Sequence, residues 1–303
     1  MIKYLSPTSL QAWRKDKTEF YLRYLAEDRV PRFPQTKHMA VGSAFDAYVK
    51  SELGRMIGVE VDFEELFEKQ VESENREIAR IDGKIVMERY KGLGCLADLV
   101  TMIQGCARFE FTVMTEAKGK EVGEDGGLTL LGRPDAYFTD RYGNDIILDW
   151  KVNGFYSKSR LSPMKGYMKL RPGGECHRDA IVMDHRGVQC NISYGLEVCN
   201  EVWALQLATY SWLTGQQIGS DFIAAIDQIV GPDLRVAEYR GVIGAEYQWK
   251  LYEEYTELWE IVKSGWIFRE MSEGSSRERQ EILDKQAQGL REGGEWFSSV
   301  TRG

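Results

Sequence analysis

This chain of 303 residues is poor in the side chains that hold most transition-metal and redox centres, with three histidines and five cysteines. None of His38, His177 and His185 stands at ligand spacing from another His or Cys. Cys95, Cys106, Cys176, Cys190 and Cys199 are odd in number and contain no Cys-x-x-Cys pair. That excludes a disulfide framework and a zinc or iron-sulfur motif, and leaves reduced thiols. No phosphate-binding glycine loop and no nucleophilic triad is present, and no apolar run approaches the ~20 residues a membrane span needs. The N-terminus lacks the charged-then-apolar pattern of a signal peptide. The expectation is a cytoplasmic protein, in a host cytoplasm if phage-encoded, with no membrane partner.

What is present is an ordinary globular composition, 43% hydrophobic and 28% charged, with a net charge of −8. A chain this long can bury a sizeable core. The charge is unevenly spread. Residues 151–178 hold four lysines and three arginines against one acid, Glu175, a net +6. A basic segment on an acidic body is the footprint of phosphate gripping, with Lys158, Arg160, Lys165, Lys169, Arg171 and Arg178 as the contacts. Tyr156 and Tyr167 lie among these cations, where aromatics can stack bases.

Ser6-Pro7-Thr8-Ser9 predicts a helix start, with Ser6 as N-cap and Pro7 at the first helical position. Val41, Ala44, Phe45, Tyr48, Val49 and Leu53 recur at helical spacing and carry Asp46 with them. Asp62 caps a further helix, and Leu93, Leu96, Leu99, Val100 and Ile103 mark another. Phe109, Phe111 and Val113 alternate as a first strand. Residues 181–183 and 188–192 predict a small hairpin, 222–230 and 234–242 two strands, and 247–266 an amphipathic helix. Ser275 and Glu278 form a capping-box pattern for a last polar helix. Residues 202–213 are apolar nearly all round, as in a buried helix. Gln206 and Tyr210 interrupt this run on one face, and buried polar groups need partners, so both are expected to point at a polar site. With no repeat and no dividing linker, 1–303 is expected to be one domain. A helical part, 1–105, and an α/β core, 106–270, share a core, followed by a polar helix and tail, 271–303.

The chain is organised around residues 132–151. Residues 128–138 and 145–152 predict two strands joined by the polar turn Arg141-Tyr-Gly-Asn144. Ile146, Ile147 and Leu148 belong inside a sheet, yet Asp149 and Lys151 follow directly, and a period of two puts both on one face. Asp135 falls within cross-strand reach. Two carboxylates in a partly buried site repel, and a divalent cation between them removes the conflict. Mg²⁺ accepts monodentate carboxylates, a backbone carbonyl such as that of Trp150, and waters. Lys151 could then hold an attacking water or steady a developing phosphorane charge.

The ordered set Gly42-x-x-x-Asp46, Gly132-x-Pro-Asp135, Asp149-Trp-Lys151 and Gln206-x-x-x-Tyr210 resembles the RecB-like branch of the PD-(D/E)XK nuclease superfamily. The likeness runs from about residue 5 to 266 and takes in Leu5-Ser-Pro-Thr-Ser-Leu10 and Phe20-Tyr-Leu-Arg-Tyr24. It implies an α/β (α+β) fold, a restriction-endonuclease-like α-β-β-β-α core whose mixed sheet is flanked by helices, with a helical N-terminal elaboration. It also implies that Asp135 and Asp149 are metal ligands, that Trp150 lends its carbonyl, and that Lys151 orients the hydrolytic water. Gln206 and Tyr210 would position the DNA backbone or the lysine. Asp46 stands where branch members commonly have His, so a carboxylate there points to a second-metal role and favours Mg²⁺ or Mn²⁺. Some relatives hold a four-iron cluster through an N-terminal Cys and a C-terminal Cys trio. This chain has no Cys near residues 16–18 and none after Cys199, so no iron-sulfur cluster is expected.

The activity implied is magnesium-dependent hydrolysis of DNA phosphodiester bonds. The protein would be an exonuclease of recombination, repair or phage DNA processing, acting on single strands or duplex ends beside a helicase or recombinase partner. The alternative is a catalytically silent nucleic-acid-binding subunit of such a complex. Intact Asp135, Asp149 and Lys151 argue against it.

Overall fold

The computed structural model of the chain describes residues 2–27, 29–104, 107–109, 112–116, 127–158, 181–183, 189–191, 195–265, 277–282 and 284–285. The fold is α+β, with a mixed sheet flanked by helices. Helix α1 (Pro7–Lys15) begins as its sequence predicts, with Ser6 and Ser9 forming a capping box and Pro7 in the first turn. Helix α2 (Lys17–Phe20) follows and passes into a π-helical turn, Tyr21–Leu25. The long α3 (Lys37–Ile57) starts at Thr36, whose side chain accepts the Met39 N–H, and stops at the left-handed Gly58. Asp62 caps α4 (Phe63–Gln70) in the same way.

Helix α5 (Arg76–Gly92) lies where the sequence offers mainly charge, and its Ala79, Gly83, Val86, Met87 and Tyr90 are buried. Gly83 is needed for its approach to α3, because a Cβ there would stand 2.5 Å from that of Ala44. Helix α6 is Cys95–Met102, α7 Leu196–Cys199, α8 Glu201–Leu213 and α9 Ala245–Ser264. Residues 277–282 are helical, as the capping-box pattern predicts, while Ser275 lies outside the described residues. No described helix is long and apolar enough to cross a membrane.

The strands are β1 (Arg108–Phe109), β2 (Val113–Glu116), β3 (Thr129–Gly132), β4 (Ala136–Thr139), β5 (Asp145–Asn153), β6 (Ile181–Met183), β7 (Gln189–Asn191), β8 (Ile223–Val230) and β9 (Arg235–Gly241). Among the described residues they form a seven-stranded sheet in the order β1-β4-β5-β8-β9-β7-β6, beside a two-stranded sheet of β2 and β3. β4 and β5 pair antiparallel around Asp140, whose carboxylate accepts the N–H groups of Tyr142 and Asn144. β5 and β8 pair parallel, and α7 and α8 lie between them in the chain.

Two expectations need correction. Phe109 and Val113 do not share a strand: Phe109 ends β1 in the seven-stranded sheet, Val113 begins β2 in the two-stranded one, and Phe111 lies outside the described residues. Residues 128–138 are not a single strand: the chain breaks at Arg133-Pro134-Asp135, so that β3 pairs with β2 and β4 pairs with β5. Proline cannot donate to a ladder, and the break leaves Asp135 at a strand end. The predicted hairpin at 181–192 does form, and its β7 joins the main sheet parallel to β9.

The core lies in layers on the two faces of the sheet. Ile147, Ala224 and Ile226 pack with Leu207, Ala208 and Leu205 of α8 and Leu251 of α9. Ile146, Leu148 and Trp150 pack with Val41, Phe45 and Val49 of α3 and Tyr90 of α5. Alternation along β5 thus sends even-numbered residues to α3 and odd-numbered ones to α8.

Candidate active site

β5 outruns its neighbour. β4 begins at Ala136, opposite Leu148, so from Asp149 onward this edge of β5 is met by Asp135 instead of a paired strand. The Trp150 N–H donates to Asp135 Oδ2 at 3.1 Å. In an extended strand the N–H and C=O of one residue face the same edge, so the Trp150 carbonyl lies on the Asp135 side.

Asp149 and Lys151 emerge on the α8 side, as a period of two requires, and Lys151 Nζ stands 2.5 Å from Asp149 Oδ2. Gln206 closes the group from α8. Its Oε1 accepts from Lys151 Nζ at 3.2 Å, and its Nε2 lies 3.1 Å from Asp149 Oδ1 and 3.0 Å from the Tyr210 hydroxyl oxygen, donating to both. The helix can come this close because residue 132 is glycine. A Cβ there would stand 2.5 Å from Leu213 Cδ1 and 2.7 Å from Tyr210 Cε1.

From the other face α3 delivers Asp46 and, one turn later, Lys50. Lys50 is fully buried, its Nζ 2.6 Å from Asp46 Oδ2, 3.3 Å from Asp135 Oδ1 and 5.8 Å from the centre of the Trp150 ring. Gln70, at the end of α4, donates to Asp46 Oδ2 at 2.9 Å. Sequence reasoning missed Lys50 and Gln70. The signal for Lys50 was a lysine one turn after Asp46 and directly after Val49, inside the apolar row of α3.

The electrostatics follow from burial and from this pairing. Burial pushes the Asp149 carboxyl up to about 7; Lys151 opposes the rise and Asp135 adds to it. Burial also acts to raise Asp135, but Lys50 and Lys151 outweigh it and hold that carboxyl below its ordinary value. The Lys151 ammonium sits above its usual range because Asp149 and Asp135 overcome its desolvation. Burial, then Asp149, push the Tyr210 phenol far up, so it remains a neutral hydroxyl.

A buried chain of hydrogen bonds backs the strand. Arg240 Nη1 lies 2.6 Å from Asp227 Oδ1, Tyr90 donates to the other oxygen of Asp227, and Trp150 Nε1 donates to the Tyr90 hydroxyl at 3.3 Å. Asp227 is the register partner of Trp150 on β8.

The other expected residues fall differently. Lys158 is exposed, whereas Arg160, Lys165, Lys169, Arg171 and Arg178, with Tyr167, His177 and His185, lie outside the described residues. Tyr156 is half-buried, donates to Asp82 and packs edge-on against His38 with ring centres 5.0 Å apart. Its hydroxyl and one edge of its ring are thus engaged within the fold. Among the described residues no three His, Cys, Asp or Glu side chains gather as a metal group. Asp135, Asp149 and the Trp150 carbonyl could supply three hard oxygens to an ion that keeps several waters.

No protein-family model and no curated protein matches this chain. Among solved structures, one titled "Crystal structure of SSO0001" aligns over 83% of this chain and 86% of that one, with 15% identity and a TM-score of 0.30.

Proposed function

We propose that this protein is a metal-dependent nuclease that hydrolyses DNA phosphodiester bonds in the manner of the RecB-like PD-(D/E)XK enzymes. The observation that carries the reading is the gathering of Asp135, Asp149, Lys151, Gln206 and Tyr210, drawn from separate stretches of sequence, where β5 runs on past the end of β4. The raised Asp149 carboxyl supports it too: burial raises it most and Asp135 adds to the rise, and a cation between the two carboxylates would compensate both.

Asp135, Asp149 and the Trp150 carbonyl would hold Mg²⁺, or Mn²⁺ in its place. When bound, that ion supplies Lewis acidity toward a phosphoryl oxygen and a water of lowered pKa. Lys151, fixed between Asp149 and Gln206, keeps its ammonium charged and directs donors at the water or at a non-bridging phosphate oxygen. Gln206 spans Lys151, Asp149 and Tyr210 and so fixes their relative orientation. The Tyr210 hydroxyl stays protonated and can donate to the DNA backbone. The acidic body repels DNA, and the basic segment 151–178, including Lys158, Arg160, Lys165, Lys169, Arg171 and Arg178, offsets that repulsion by gripping phosphates. DNA ends or single strands are the proposed substrate, processed in the cytoplasm during recombination, repair or phage DNA metabolism, with a helicase or recombinase as partner.

The test uses end-labelled linear DNA and a covalently closed circle, each in Mg²⁺ and in Mn²⁺. The parent protein is expected to degrade the linear substrate and spare the circle, and Lys151→Ala to slow the reaction by about 10²–10³-fold. DNA retained without any product would instead favour the silent binding subunit.

A further inference from the structure

Gln228 is a buried amide that the proposed chemistry does not use. Along β8, Ala224 and Ile226 pack against α8, and Gln228 continues their row, 3% exposed and the register partner of Lys151 on β5. Register partners share a face of the sheet about 4.8 Å apart, so the Gln228 and Lys151 side chains rise side by side. Gln228 Nε2 donates to Asn153 Oδ1 at 2.7 Å. Its Oε1 is buried and accepts from no donor among the described residues, an uncommon state for a buried acceptor. Lys151 has the complementary spare group. An ammonium carries three donors, and among the described residues this one meets two oxygens, Gln206 Oε1 at 3.2 Å and Asp149 Oδ2 at 2.5 Å. Asp149 is also a ligand of the proposed ion, and two cations at one buried carboxylate repel.

We propose that Gln228 is the second dock of Lys151: once the proposed ion occupies Asp149, the ammonium gives up Oδ2, keeps Gln206 Oε1 and donates to Gln228 Oε1. The inference rests on the nuclease reading and deepens it, by naming the residue that receives the lysine in the loaded site. An amide oxygen suits this task, because it holds an ammonium without a net charge that would compete for the ion. By engaging Nε2, Asn153 leaves the oxygen as the free end of the amide. Two donors of Lys151 are then anchored on amides from α8 and β8, and the third is available to the water or to a phosphate oxygen. Gln228 acts through Lys151, so it is a positioning residue.

Calorimetric titration of Mn²⁺ into the full-length protein, run as a double-mutant cycle between Gln228 and Lys151, tests this without reference to activity. Gln228→Met keeps the side-chain volume but removes the acceptor. It is expected to weaken Mn²⁺ binding roughly tenfold, the worth of one hydrogen bond to a charged group, because the ammonium then stays on Asp149. Lys151→Met removes the ammonium itself, and adding Gln228→Met to it is expected to change the affinity by no more than about twofold. A folded Gln228→Met protein that binds Mn²⁺ as tightly as the parent would overturn the inference and leave the nuclease reading intact, as would an equal loss in both backgrounds. No binding by the parent at millimolar Mn²⁺ would overturn both. If either variant does not fold, a crystal structure of the Mn²⁺-loaded parent decides the matter. Lys151 Nζ is expected within hydrogen-bond distance of Gln228 Oε1, and an ammonium found anywhere else would overturn the inference.

Discussion

Asp149 ties the proposed chemistry to pH. Burial, reinforced by Asp135 against the pull of Lys151, puts its carboxyl at about 7. A cation must therefore displace a proton below that value, and Mn²⁺ affinity measured by calorimetry is expected to fall about tenfold per pH unit below pH 7 and to level off above it. Stability runs the other way in metal-free protein. A carboxyl whose folded pKa is raised binds its proton more tightly folded than unfolded, so this group destabilises the fold as pH rises from about 4 to about 7. Thermal stabilisation by added Mn²⁺ should consequently be largest above pH 7, and a pH-independent increment would contradict it. Gln206→Ala is expected to cut the turnover rate about 10–100-fold with little change in DNA affinity, since Gln206 orients Lys151 and Asp149. Asp149 and Lys151 were legible in the sequence because a strand's period of two is enough to put them together. Lys50 was not, because a lysine on a helix ordinarily faces water; its burial is a product of α3 packing over β5.

At the scale of elements, β5 is held in place through Trp150. Its ring packs in the α3 layer, its indole N–H reaches Tyr90, and Tyr90 reaches the buried Asp227 beside Arg240. Tyr90→Phe deprives a fully buried carboxylate of one donor and is expected to lower stability by about 1–3 kcal/mol in urea unfolding. Loss of activity should follow, because the Trp150 N–H fixes Asp135. Gly132→Val is expected to push α8 away and lower the turnover rate while leaving Mn²⁺ binding at Asp135 and Asp149 within about twofold, since the clash is with Tyr210 and Leu213. The helices with clear apolar periodicity were legible, and so were β5, β8 and β9. The break in 128–138 was signalled by Pro134 but hidden by the apolar alternation around it. α5 was obscured by surface charge that says nothing of the buried row Ala79, Val86, Met87 and Tyr90. The attachment of β7 to β9 depends on parallel pairing between distant segments, for which no local pattern exists.

For the molecule as a whole, the N-terminal helices are part of the core, since α3, α5 and α6 supply one face of the sheet with its packing. That sharing was expected from the missing linker. What holds DNA on a body of net charge −8 is a question of overall charge distribution. Replacing Lys165, Lys169 and Arg171 together by alanine is expected to weaken DNA binding across sequences and to reduce the slope of log K against log salt by about 2–3. An unchanged slope would remove the basic segment from the interface. The central claim is that Asp135, Asp149 and Lys151 gather around a cation that breaks a DNA backbone, and single-turnover cleavage tests it most directly. Parent and Asp149→Asn proteins, each shown to be folded, would be mixed with end-labelled linear DNA in Mg²⁺ and in EDTA. The account predicts products only from the parent in Mg²⁺, and cleavage by Asp149→Asn at the parental rate would contradict it.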